Sequence, residues 1–129
     1  MAYKILVVDD DEDIIETLRH RLLKEGYQVS VAYDGEEALV RVKEDKPDVV
    51  LLDLMMPKIN GFEVLKEIRE RYKEKWIPVI IISAQGELDS LKKCYSMEAD
   101  HYLVKPCSME NVLRGITTVI SLIPLRKKE

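Results

Sequence analysis

Five residues with ionisable or hydroxyl side chains stand directly after apolar runs of this 129-residue sequence. Asp9 and Asp10 follow the first run, Asp53 follows a second, Ser83 a third and Lys105 the last. If those runs are parallel strands of one sheet, the five residues lie at one edge, because the carboxyl ends of parallel strands point the same way. The sequence therefore predicts three carboxylates, a hydroxyl and an ammonium group in one cleft.

Three carboxylates in one cleft disfavour their own joint ionisation unless a cation lies between them. The predicted cluster offers only oxygen ligands and contains no histidine or cysteine, which favours a hard ion. Mg²⁺ fits because it retains several waters and needs few protein carboxylates, and Mn²⁺ is an alternative ion. A lysine beside these groups is a compact positive charge suited to a phosphoryl group.

The apolar runs alternate with segments of helical periodicity, which is typical of βαβ units around a parallel sheet. The predicted strands are Lys4 to Val8, Gln28 to Ala32, Val49 to Leu52, Pro78 to Ile82 and His101 to Val104. The predicted helices cover residues 12–25, 36–45, 62–74, 87–97 and 108–122. Gly26 is expected to end the first helix, and Pro47, Pro78 and Pro124 are expected at the edges of elements.

The composition of each strand predicts its place in the sheet. The first, third and fourth strands are continuously apolar, as expected for strands covered on both faces, whereas the second alternates and the fifth is short. With right-handed crossovers, the simplest order is 2-1-3-4-5, which flavodoxin-like proteins have. We therefore expect an α/β fold, a flavodoxin-like doubly wound sandwich of five βα units around a five-stranded parallel sheet.

Length and composition predict one domain over residues 1–129, because single domains commonly run to about 100–150 residues. A net charge of -4 has the wrong sign for holding nucleic acid on a basic face. The N-terminal apolar run is too short for a signal peptide or a membrane span, so we expect a cytoplasmic protein. Cys94 and Cys107 lack the spacing of a metal site and are expected to be small core residues.

The order of these motifs resembles the receiver domain of two-component response regulators, the CheY-like family, along essentially the whole chain. The motifs that carry the resemblance are Ile5-Leu6-Val7-Val8-Asp9-Asp10, Leu51-Leu52-Asp53-Leu54-Met55-Met56-Pro57, Ile82-Ser83-Ala84 and Tyr102-Leu103-Val104-Lys105-Pro106. By this resemblance, Asp53 accepts a phosphoryl group from the phosphohistidine of a sensor histidine kinase or a phosphotransfer protein. The chain then catalyses only its own phosphorylation and dephosphorylation and is not a turnover enzyme.

The resemblance also implies the role of each site residue. Asp10 and Asp53 bind Mg²⁺ directly, Asp9 acts mainly through a water, and the backbone carbonyl of Met55 completes the protein ligands. The remaining groups contact the phosphoryl oxygens: they are Lys105, the hydroxyl of Ser83 and the backbone N–H of Ala84. The Lys105-Pro106 peptide bond is expected to be cis.

The same resemblance implies a switch. Phosphorylation adds negative charge at Asp53 and draws Ser83 towards it, after which Tyr102 favours an inward rotamer. The surface formed by helix four, strand five and helix five then changes its affinity for an effector protein. If the chain is complete, it carries no output domain and acts through a partner.

Three departures from the family pattern bear on these expectations. Glu98-Ala99-Asp100 stands where a Gly-Ala pair is frequent, so the turn before the last strand is expected to differ. Cys107 replaces a frequent phenylalanine and leaves less aromatic packing beside the site. Met55 and Gln85 occupy positions that modulate dephosphorylation in the family, so no phosphoryl lifetime is predicted.

Simpler roles and rival functions stay open. Asp9, Asp10 and Asp53 could be helix caps and nothing more. Ser83 could be a helix-entry residue, and Tyr102 could be a static edge-strand aromatic. A haloacid-dehalogenase-type phosphatase also uses an Asp nucleophile, but Asp53-Leu54-Met55 lacks the second acid of its D-x-D motif. A flavodoxin-like FMN carrier would need a phosphate-binding loop after Val8. A docking module that works without phosphorylation is the third alternative.

Overall fold

The computed structural model describes residues 2–84 and 86–127, with only the backbone of Lys127, so Gln85 lies outside the described residues. Within these ranges five strands and five helices alternate. The elements are β1 (Lys4–Val8), α1 (Glu12–Lys24), β2 (Gln28–Ala32), α2 (Gly35–Asp45), β3 (Val49–Leu52), α3 (Gly61–Arg71), β4 (Val79–Ser83), α4 (Leu88–Ser96), β5 (His101–Val104) and α5 (Met109–Lys127).

The five strands form one parallel sheet in the order β2-β1-β3-β4-β5, which confirms the predicted α/β, flavodoxin-like fold. Every residue of β3 and β4 is buried, as is β1 from Ile5 onwards, whereas most of β2 and β5 is partly exposed. The continuously apolar runs therefore occupy the centre of the sheet because both of their faces are covered.

Helices cover the two faces of the sheet. One apolar cluster joins side chains of β1, β3 and β4 to α1 and α5, and the other joins the opposite faces of these strands to α2, α3 and α4. The periodicity of α1 shows why it packs this way, because Ile15, Leu18 and Leu22 recur on one face and are its buried residues. Burial of such a side chain contributes about 1.5–3 kcal/mol.

Helices α1, α2 and α3 each begin with a side-chain cap that follows from the sequence. The carboxylate of Asp11 accepts hydrogen bonds from the backbone N–H groups of Asp13 and Ile14, and Asp34 accepts one from Glu37. The side-chain oxygen of Asn60 accepts one from Glu63. These caps satisfy N–H groups that the first helical turn leaves without partners. Gly26, with φ of +96°, follows the last turn of α1 as expected.

The prediction that Pro124 lies at the edge of α5 was wrong, because the helix continues through Pro124 to Lys127. Proline removes one backbone N–H, but its fixed φ is compatible with a helix. Tertiary contacts hold the last turn: Ile123 is buried, and the guanidinium of Arg126 lies 4.2 Å from the centroid of the Trp76 ring. Packing therefore outweighs the local rule at this position.

Several other boundaries differ slightly from the predictions, most of them by one residue. Helix α3 ends at Arg71 rather than residue 74, and β4 begins at Val79 rather than Pro78. The backbone of Tyr72, with φ of -120° and ψ of +57°, leaves the helical region. Among the helices of the described ranges, none is long and apolar enough to cross a membrane.

Candidate functional site

The carboxyl ends of β1 and β3 place two aspartates side by side. Val8 and Leu52 are paired in the parallel register, and the next residues are Asp9 and Asp53. The backbone N–H of Asp53 donates to the carbonyl oxygen of Val8 at 3.0 Å, which continues the sheet pairing by one step. The positions of both acids are therefore set by the most buried part of the molecule.

Asp10 joins these two residues to form the acidic cluster, defined here as Asp9, Asp10 and Asp53. One carboxylate oxygen from each lies within 4.8 Å of the others. Asp9 and Asp53 are only 3% and 5% exposed, whereas Asp10 is exposed. The carboxylate of Asp9 also accepts the backbone N–H of Asp11 at 2.9 Å. The cluster is thus open to solvent on one side and fixed by backbone on the other.

Lys105 reaches the same cleft from the end of β5. Its ammonium lies 2.7 Å from Oδ2 of Asp9 and 3.6 Å from Oδ2 of Asp53. Its backbone N–H donates to the carbonyl oxygen of Ser83 at 2.8 Å, and the Lys105-Pro106 peptide bond is cis. A single ammonium group therefore partners two buried carboxylates.

Burial and neighbouring charge shape the ionisation of this cleft. Burial raises the pKa of Asp53, the charge of Asp9 raises it further, and Lys105 only partly opposes them. Burial works to lower the pKa of Lys105, but its hydrogen bond to Asp9 and the charges of Asp53 and Asp9 outweigh burial, so this pKa is raised. The negative charge in the cleft exceeds what one lysine neutralises.

The donor set of the acidic cluster fits a hard divalent cation. It offers oxygen atoms from three carboxylates without histidine or cysteine, and one of these residues faces solvent. Such a set suits Mg²⁺, which binds a few protein oxygens and keeps waters in its other positions. Met55 lies two residues after Asp53, is 58% exposed, and directs its backbone N–H to Oδ1 of Asp53 at 3.5 Å.

Ser83 and Tyr102 lie beneath the cleft. Ser83 is fully buried at the end of β4, and Tyr102 of β5 is 7% exposed. Burial raises the pKa of the Tyr102 hydroxyl, while a hydrogen bond with Ser83 works in the opposite direction. The ring of Tyr102 is therefore inside the protein and joined to Ser83. Ala84, the next residue after Ser83, is exposed at the rim.

Sequence reasoning missed a polar network at the opposite end of the sheet. The carboxylate of Asp100 accepts hydrogen bonds from Arg69 at 2.7 Å, from the backbone N–H of Val79 at 2.8 Å and from the Trp76 indole at 3.2 Å. Arg69 also donates to the carbonyl oxygens of Glu98 and Ile77. The unusual Glu98-Ala99-Asp100 turn was the available signal, and Glu98 does adopt a positive φ of +67° there.

Comparison with known proteins agrees with this geometry. The model of the response regulator receiver domain family matches residues 5–117. The alkaline phosphatase synthesis transcriptional regulatory protein PhoP of Bacillus subtilis is 38% identical over 120 residues, which cover 93% of this chain and 49% of PhoP. The chain thus spans about half the length of this curated relative.

Solved structures give the same result. A CheY-like receiver domain protein from Methanospirillum hungatei has a TM-score of 0.91 at 24% identity, covering 98% of this chain and 99% of its own, and shows the common fold. CheY in a CheX-CheY-BeF3-Mg²⁺ complex from Borrelia burgdorferi has a TM-score of 0.85 at 34% identity, covering 92% and 89% of the two chains. The chain belongs to the response regulator receiver domain family.

Proposed function

We propose that Asp53 accepts a phosphoryl group from the phosphohistidine of a histidine kinase or phosphotransfer protein, with Mg²⁺ bound beside it. Receiver domains are phosphoryl-accepting switches of two-component systems and do not turn over external substrates. One observation carries the assignment to this residue: the buried carboxylate of Asp53 lies in an acidic cluster and 3.6 Å from the ammonium of Lys105.

In the proposed reaction an Oδ atom of Asp53 forms a bond to phosphorus while the bond from phosphorus to the histidine nitrogen breaks. The electron pair of the broken bond returns to the imidazole, and the product is an acyl phosphate. Water later attacks this phosphorus and releases inorganic phosphate, which restores the carboxylate. The protein contributes position and charge, as expected for a loose phosphoryl-transfer transition state.

The proposed protein ligands of the cation are Asp10, Asp53 and the backbone carbonyl of Met55, with Asp9 acting through a water. A bound Mg²⁺ would neutralise charge on the carboxylates and on the arriving phosphoryl oxygens. Mn²⁺ prefers similar oxygen ligands, and its ability to replace Mg²⁺ at this site remains a prediction.

Three groups at the ends of β4 and β5 are proposed to bind the phosphoryl oxygens. They are the ammonium of Lys105, the hydroxyl of Ser83 and the backbone N–H of Ala84. Lys105 is already held at the cleft by Asp9, so it needs little movement to contact a phosphoryl group on Asp53. Such pre-positioned donors stabilise developing negative charge more effectively than water does.

We also propose that the signal leaves through the surface of α4, β5 and α5. The hydrogen bond between Tyr102 and Ser83 links β5 to the cleft, so a shift of Ser83 changes the packing of Tyr102. Leu88, Tyr95 and Val104 are exposed apolar residues of α4 and β5. Phosphorylation would favour the packing of this surface that binds an effector protein, because the phosphoryl group would stabilise that packing more than the other.

We propose that the domain acts in the cytoplasm without binding nucleic acid itself.

Incubation with acetyl phosphate and Mg²⁺ tests the proposed function, with intact-protein mass as the readout. We expect one phosphoryl group per chain, loss of labelling after chelation, and loss in Asp53→Asn. Asp48→Asn is the matched control, since Asp48 precedes β3 at the opposite end of the same strand and should label normally. A folded protein that does not label would instead support docking without phosphorylation, and bound FMN after purification would support a flavodoxin-like carrier.

A further inference from the structure

The loop between β3 and α3 begins with Asp53 and ends at Asn60. It therefore carries both the proposed phosphoacceptor and the proposed carbonyl ligand of Met55. A carbonyl ligand has no side chain that can adjust, so its position depends on how the loop is held. Residues that fix this loop from outside can therefore affect metal binding without touching the metal.

The end of the loop closes tightly against its beginning. The backbone N–H of Gly61 donates to the carbonyl oxygen of Leu54 at 2.9 Å. A Cβ atom on Gly61 would overlap the carbonyl oxygen of Asp53 and would lie 2.6 Å from the Cα atom of Leu54. Only glycine permits this closure, which fixes the two ends of the loop relative to each other.

The later part of the loop packs against the first residue of α2. A Cβ atom on Gly35 would overlap the carbonyl oxygen of Ile59 and would lie 2.7 Å from its carbonyl carbon and 2.8 Å from its Cβ atom. Because most of these contacts are with backbone atoms, a side chain at position 35 cannot be accommodated by a rotamer change. The loop must move if Gly35 acquires a side chain.

An ion pair joins the same two segments. The Nζ atom of Lys58 lies 3.5 Å from Oδ2 of Asp34, while Oδ1 of Asp34 caps α2 by accepting the N–H of Glu37 at 2.8 Å. Lys58 itself has a positive φ of +66°. The Asp34-Gly35 turn thus holds the loop by one close backbone contact and one charge pair.

We infer that the Asp34-Gly35 turn positions the β3–α3 loop, and through it the carbonyl of Met55, for metal binding and phosphorylation at Asp53. This inference rests on the proposed function. Asp34, Gly35 and Lys58 act as positioning residues and contact neither the metal nor the phosphoryl group. The turn matters for the affinity of the site for Mg²⁺ rather than for the chemistry of the carboxylate.

The experiment compares the wild-type protein with Gly35→Ala. The dissociation constant of Mg²⁺ alone is measured by calorimetry, and labelling by acetyl phosphate is measured over a range of Mg²⁺ concentrations. We expect Gly35→Ala to raise the dissociation constant about 10- to 100-fold, the range found for groups that orient metal ligands. At saturating Mg²⁺ its labelling rate should return to within about twofold of wild type, because Asp53 and Lys105 are intact.

Gly115→Ala is the matched control. Gly115 is a buried glycine of α5, where a Cβ atom would meet mainly the end of the His101 side chain. This variant should bind Mg²⁺ like wild type. A purely structural effect of Gly35→Ala would lower its melting temperature and its active fraction but leave the dissociation constant of the folded fraction unchanged.

Lys58→Met and Asp34→Asn keep the test decisive if Gly35→Ala does not fold. Each removes the charge pair, and Asn retains a cap acceptor, so both should fold and weaken Mg²⁺ binding about two- to fivefold. Unchanged dissociation constants in every folded variant, beside a wild type that binds and labels, would overturn the inference alone. A folded wild type that neither binds Mg²⁺ nor labels would overturn the proposed function, and with it the inference.

Discussion

Asp9 and Asp53 share the ammonium of Lys105, but they share it unequally. The ammonium is 2.7 Å from Asp9 and 3.6 Å from Asp53, so Asp53 is the less neutralised of the two buried carboxylates. Burial and the charge of Asp9 raise the pKa of Asp53, and Lys105 opposes them only in part. Of these two carboxylates, that of Asp53, the proposed acceptor, therefore gains more from further positive charge.

Asp100 is a polar residue outside the cleft whose loss should lower the stability of the fold. Asp100→Ala removes the carboxylate partner of the partly buried Arg69, which keeps its carbonyl acceptors, and leaves the backbone N–H of Val79 without its acceptor. We expect the free energy of unfolding to fall by about 2–4 kcal/mol in urea titrations. Labelling of the folded protein should be unchanged, because Asp100 precedes β5 at the edge opposite the acidic cluster. Asp89→Ala, at an exposed position, should leave stability nearly unaltered.

The two kinds of aspartate also show what a sequence can reveal. Asp9, Asp53 and Lys105 could be placed together because each directly follows a strand, and parallel strands end at one edge. The partnership of Arg69 with Asp100 links positions 31 apart through a helix end and a turn. No local sequence pattern extends over so many residues, so only the packed structure shows this contact.

The pH dependence of stability tests the Asp34 cap at the start of α2. The backbone N–H of Glu37 holds the pKa of Asp34 below its ordinary value of 3.8, and Lys58 contributes to the same shift. A lowered pKa in the folded state stabilises the fold above pH 3.8, and this stabilisation disappears as the pH falls through the folded pKa. The stability advantage of wild type over Asp34→Asn in urea should therefore be largest near neutral pH and shrink below about pH 4. An advantage that grows in acid would contradict this role.

Pro124 tests the balance between local preference and packing. Proline cannot donate the backbone hydrogen bond expected in the last turn of α5, so Pro124→Ala should raise the free energy of unfolding by about 1 kcal/mol. Leu125→Ala, at a position that is 60% exposed, is the control and should have little effect. Loss of stability in Pro124→Ala would mean that the ring itself packs favourably. The sequence rule failed here because Ile123 and Arg126, on either side of the proline, make tertiary contacts.

Binding of Mg²⁺ should increase the stability of the folded protein. A ligand that binds only the folded state stabilises it by about 2.7 kcal/mol at 100 times its dissociation constant. Mg²⁺ should therefore raise the melting temperature of the wild-type protein, and a chelator should reverse the rise. Asp10→Asn should remove most of this response while changing metal-free stability little, because Asp10 is exposed. An equal response in both proteins would place the ion elsewhere.

The overall architecture was predictable from the sequence. The order of the strands followed from which apolar runs are continuous, as in Val49–Leu52, and which alternate, as in Gln28–Ala32. The contact of Gly35 with Ile59 could not be predicted in this way, because it joins two turns that are adjacent only after α2 and α3 pack together. Patterns fix the layers of the fold, whereas close contacts between loops depend on the final packing.

Chemical trapping can identify which residue carries the phosphoryl group. Borohydride reduces an acyl phosphate, so treatment after labelling with acetyl phosphate and Mg²⁺ should convert Asp53 alone to homoserine, as read by peptide mass spectrometry. We predict that the modified site is Asp53 and that no conversion occurs without Mg²⁺. Conversion of Asp9 or Asp10, or a stable label on a serine, would show that Asp53 is not the phosphoacceptor.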